Sequence, residues 1–148
     1  LLNKIRLVIR SIEHRISDKE RMLLRIQNDL HEVVLEIESG EQQKKAGKGH
    51  LASLTLQGTT HLDEILEIKS RQSSVRRKLA DIELLLSNAR HRQTVLEQEK
   101  IATKEQRNQL QRKVDKVQER LKMLKKQQEK HRLHQFETET EEQINWQV

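Results

Sequence analysis

The chain has 148 residues, of which 35% are charged, 33% hydrophobic and 1% aromatic, with no Pro, Cys or Tyr. A compact core of this length draws on aromatics, and turning its chain draws on Pro and Gly, so an ordinary globule is excluded. A net charge of +6 and a mean hydropathy of −0.90 instead describe long solvated helices, with no closed catalytic pocket.

No apolar run is long enough to span a bilayer, and no signal-peptide pattern opens the chain. Absence of Cys removes disulfides, thiolate nucleophiles and Cys-based zinc sites, and fits a reducing compartment. A first residue of Leu1 in place of Met reads as an internal or trimmed piece.

Residues 1–38 carry a heptad pattern. One seam row holds Leu2, Ile9, Ile16, Leu23, Leu30 and Ile37; the other holds Ile5, Ile12, Lys19, Ile26 and Val33. Only Lys19 breaks it. Val8, Met22 and Val34 widen the stripe beyond what a two-stranded seam needs, so this coiled-coil helix is expected to touch more than one neighbour.

All four glycines fall within residues 39–61, among Ser53, Thr55, Thr59 and Thr60. The window reads as a Gly-rich linker, with Gly40 ending the first helix. Thr60, followed by Asp63 and Glu64, reads as the N-cap of the second. Leu51 to Leu56 is mildly apolar and could dock on a neighbour.

Residues 62–136 form the second coiled-coil helix. One register runs from Ile65 through Ile68, Val75, Leu79, Ile82, Leu86, Ala89 and Leu96 to Leu110, Val114, Val117, Leu121 and Leu124. Polar residues interrupt it at Gln72, and then at Gln93, Lys100, Thr103 and Arg107. After Leu124 the frame is lost, and Leu133 and Phe136 begin a weaker one. The fold class expected is all-α: two long helices, as an elongated coiled coil or a helical hairpin. In the hairpin, 1–38 would pair antiparallel with 62–100, leaving 105–136 to meet another chain; the rival is two consecutive rods on a partner.

Charge is uneven. Residues 100–134 are strongly basic, with twelve Lys or Arg against four acids, and the tail 137–148 is acidic through Glu137, Glu139, Glu141 and Glu142. Clustered cations can neutralise phosphate, but nothing here is built to read bases or stack on single strands. The basic stretch therefore reads as a solvated coiled-coil face, or as a surface for an acidic protein such as tubulin. Neither nucleic acid nor a membrane is expected as a partner. His131 and His134 lack a third ligand at zinc spacing, so no metal or cofactor is expected. Gly47-Lys48-Gly49 lacks the pattern of a phosphate loop, and no catalytic grouping is present. Phe136 and Trp146 are the only aromatics; Trp146 is a candidate docking anchor.

The stretches LLNKIRLVIRSIEHRISDKERMLLRIQNDLHEVVLEIE and KEQRNQLQRKVDKVQERLKMLKKQQEKHR resemble long coiled-coil scaffold proteins of the axoneme and centrosome. That resemblance implies a non-catalytic structural protein on microtubule-based assemblies, in the cytoplasm, at the cytoskeleton of a cilium or centrosome. The alternative is a basic helical adaptor for nucleic acid or an anionic membrane surface. The residues expected to form the partner-binding seam are Ile9, Ile12, Ile16, Leu23, Ile26, Leu30, Leu79, Ile82, Leu86, Val114, Val117, Leu121 and Leu124. The partners expected are other coiled-coil proteins, in a homo- or hetero-oligomer.

Overall fold

A computed structural model describes residues 1–55, 58 and 61–147. It contains two helices, α1 (Leu2–Ser53) and α2 (Leu62–Gln147), and no strand among the described residues. The fold is all-α, and the two long helices pack against each other as a helical hairpin. Contacts divide the chain into one unit made of Leu1–Met22 with Thr103–Val148, and another made of Leu23–Ala102.

The 39–61 linker expected from the glycines is not where α1 ends. Helix continues through Gly40, Gly47 and Gly49 to Ser53. The reason lies in packing. A Cβ on Gly40 would sit 2.6 Å from Cδ2 of Leu86, and one on Gly47 would sit 2.7 Å from Cδ2 of Leu79. Both glycines occupy seam positions, and their missing side chains let a leucine of α2 fill the space. Packing of this kind overrides the roughly 1 kcal/mol by which Gly disfavours a helix. The helix closes where Ser53 Oγ donates to the carbonyl of His50 and the Leu54 amide donates to Leu51. Gly58 then supplies the left-handed φ of +77° in the connection. The Thr60 cap lies outside the described residues; Asp63 and Glu64 do occupy the acidic first turn of α2.

In the 23–102 unit the helices are antiparallel, and three contacts fix the register. Gly40 meets Leu86, Gly47 meets Leu79, and Gln72 Nε2 donates to the Leu54 carbonyl at 2.7 Å. Each step of seven along α1 thus moves seven back along α2, as a heptad seam requires. Ile26, Val33, Val75, Leu86 and Ala89 are buried. This overturns the expected pairing of 1–38 with 62–100: because α1 runs on to Ser53, residues near 38 lie opposite those near 88.

In the other unit, residues 1–22 pack on the α2 segment that begins at Thr103. Ile9, Ile16 and Val114 are buried, Val114 at 2% exposure, and Ile5, Ile12, Val117, Leu121 and Leu124 are half-buried around them. The seam face of residues 105–124, which was expected to meet another chain, is therefore engaged within this one. The part of α2 without a packing partner is Lys125–Gln147, where every residue is exposed. The boundary falls where the heptad frame breaks after Leu124. The acidic segment, expected as a tail, is a continuation of the same helix as far as Gln147.

Candidate functional site

Every residue of the expected seam is buried or half-buried: Ile9, Ile12, Ile16, Leu23, Ile26 and Leu30 on α1, and Leu79, Ile82, Leu86, Val114, Val117, Leu121 and Leu124 on α2. They lie on the faces by which the two helices pack against each other. A residue that fills the hairpin's interior is not presented to a partner. The surfaces open to another molecule lie elsewhere.

In the 23–102 unit, a groove of about 870 Å³ runs along one side of the hairpin. It is lined by Leu35, Ser39 and Gly40 from α1 and by Leu85, Leu86 and Ala89 from α2. The small residues leave the hollow, while Leu35 and Leu85 stand at its edges, 51% and 67% exposed. Ion pairs cross the hairpin around it: Arg92 with Glu36, Arg90 with Glu41, and Lys44 Nζ with Glu83 at 3.4 Å. These pairs are largely solvated, so each contributes under about 1 kcal/mol and chiefly sets alignment.

In the other unit a smaller cleft of about 430 Å³ holds Arg15, Lys19 and Lys113 beside Gln106 and Gln109. Its one carboxylate, Asp18, already faces Arg21 at 3.5 Å and His14 at 3.9 Å. Lys19, the break in the α1 stripe, is half-buried here and gives the cleft a positive floor.

The exposed segment Lys125–Gln147 carries Leu133, Phe136, Ile144 and Trp146 in solvent, Trp146 at 90% exposure. His131 and His134 lie on it, and no group of three or more metal-ligating side chains occurs among the described residues. Gly47-Lys48-Gly49 lies within α1, where its amides are committed to helical hydrogen bonds and cannot cradle a phosphate. The open surface of Leu35 and Leu85 was missed in the sequence reading, which followed the seam. The signal was there: both leucines fall between seam positions, where a two-helix pair asks for polar residues.

The open surface among the described residues is thus a set of shallow grooves and one bare helical segment on a helical hairpin. The chain belongs to the family described as Salmonella surface presentation of antigen gene type M protein, whose model matches residues 3–144. No curated protein and no solved structure matches the chain.

Family membership corrects the resemblance to axonemal and centrosomal scaffolds. The family is bacterial, and bacteria build no cilium, axoneme or centrosome. The expected cytoskeletal location, the ciliary scaffold function and the microtubule association all fall with it, and tubulin loses its argument as the acidic partner. The basic-adaptor alternative gains no better support. The misreading has a physical cause. Heptads and charged faces encode helix pairing, and they are alike wherever two helices pair, so they say nothing about the cell around them.

Proposed function

We propose that this chain is a protein–protein docking component of a bacterial surface-presentation machinery related to type III secretion. The observation that carries the reading is the family match, which extends over residues 3–144 and so takes in both helices and most of the exposed α2 end. The architecture supports it. The hairpin satisfies its own seam, and what remains exposed suits contact with helices of other proteins. The reading includes no catalysis: the open grooves do not enclose a substrate or exclude water, which acid–base and nucleophilic chemistry at a protein site ordinarily needs. Partners are other helical proteins of the same machinery, met through the Leu35–Leu85 groove.

The test is deletion of the gene in its own bacterium, with surface and secreted antigen measured by immunoblot. Loss of both, with restoration by the intact chain, is the expected result. A second strain carries Leu35→Glu with Leu85→Glu, two exposed positions at which the hairpin itself should tolerate charge. It should express a folded chain and restore little antigen. Undiminished antigen in the deletion strain would refute the reading.

A further inference from the structure

The Lys125–Gln147 segment of α2 is a helix of roughly 35 Å, at ~1.5 Å per residue, with every side chain exposed. Most helical stability in proteins comes from packing of one face, which this segment lacks within the chain, so a partner surface would stabilise it. Its charge is divided. Lys125, Lys126, Lys130 and Arg132 occupy the first half against the single acid Glu129, and Glu137, Glu139, Glu141 and Glu142 the second. Among the described residues, no ion pair joins the two halves within the chain. Such a segment is complementary to itself when turned end for end.

We propose that this segment pairs antiparallel with the same segment of a second copy, making a two-fold dimer joined through the ends of α2. The stripe that opens at Leu133 and Phe136 sets a frame in which Lys126, Leu133 and Thr140 form one seam row and Glu129, Phe136 and Gln143 the other. With the two-fold axis between positions 134 and 135, Leu133 of each copy packs on Phe136 of the other. The flanking positions then fall into matched pairs. Lys130 of one copy meets Glu137 of the other, and Arg132 meets Glu139, each pair occurring twice. Farther out, Met123 meets Ile144, and Lys125 lies against the Trp146 ring, a cation–π arrangement. All the exposed large apolar side chains from Met123 onward receive a counterpart.

Two further features agree with this register. The axis falls within two residues of the middle of the bare segment, so the pairing covers nearly all of it in both copies and overlaps each hairpin only at its last turn, around Met123. Leu133 and Phe136 also project from the side of α2 roughly opposite Leu124, at about 100° per residue. The second copy therefore approaches on the face away from α1. An isologous contact of this kind closes on itself and does not polymerise. With two Leu–Phe layers at its centre, the pairing depends on its charges and weakens with added salt. The pairing rests on residues 123–147 alone and does not depend on the proposed role in surface presentation.

Sedimentation velocity of the full chain tests it. The wild type should shift from monomer to dimer with rising concentration and lose dimer in high salt. A chain with Glu137→Lys and Glu139→Lys presents four cations at the paired positions, and one with Lys130→Glu and Arg132→Glu presents four anions. Each alone should stay monomeric with unchanged helicity, and the equimolar mixture should recover the dimer. For direction, a Leu133→Cys chain should oxidise preferentially with a Phe136→Cys chain, since the native sequence has no Cys. Preferential 133–133 cross-links would mean parallel pairing and overturn the proposal. So would a wild type that remains monomeric at every soluble concentration, which would leave the segment to a helix of another protein, or a dimer indifferent to the charge reversals.

Discussion

Gly40 and Gly49 are the same residue in the same helix under opposite constraints. A side chain at Gly40 meets Leu86, itself only 3% exposed and closely packed, whereas one at Gly49 meets nothing within 4 Å. Gly40→Val should therefore destabilise the hairpin by about 1–3 kcal/mol through overpacking. Gly49→Ala should stabilise it by up to about 1 kcal/mol, through helix propensity and a less disordered unfolded chain. Urea midpoints of the two variants should move in opposite directions; a shift of the same sign for both would refute this account of the glycines. Composition alone treats these residues as equal. Their heptad positions do not, since Gly40 and Gly47 continue the seam row of Ile26 and Val33 and Gly49 does not.

At the scale of the element, each helix is held by its stripe and little by its charges. Ile16 is 8% exposed in the seam of the unit that holds Leu1–Met22. Ile16→Asp removes that apolar contact and puts a carboxylate in its place, so it should cost at least about 3 kcal/mol. Ile144→Asp, on the exposed end of α2, should leave hairpin stability unchanged. Thermal unfolding followed by circular dichroism separates the two, and equal loss in both would mean the exposed segment is part of the fold. The seam residues were legible from spacing because an apolar face must be buried somewhere. Which face buries them was not legible: the same pattern serves a partner chain and a folded-back helix equally well.

For the whole molecule, the register is the quantity that pattern counting misplaced. Lys44 Nζ lies 3.4 Å from a Glu83 carboxylate oxygen across the hairpin. A zero-length carbodiimide cross-link between these two residues should therefore appear in the monomer fraction. Links joining residues near 38 to residues near 62, as the shorter first helix required, should be absent. Finding the second set without the first would reverse the register.

The sequence by itself determined that the chain is all-helical, that α2 begins near residue 62, and which side chains line the apolar stripe of each helix. It did so because heptad spacing and composition act locally, through helix geometry and the burial of one face. Only the tertiary structure decided that α1 runs through its glycines to Ser53, that residues 103–124 are covered from within, and that Lys125–Gln147 is left bare. The first of those outcomes depends on a leucine of the opposite helix filling the space at Gly40, and no property of either helix alone contains that contact.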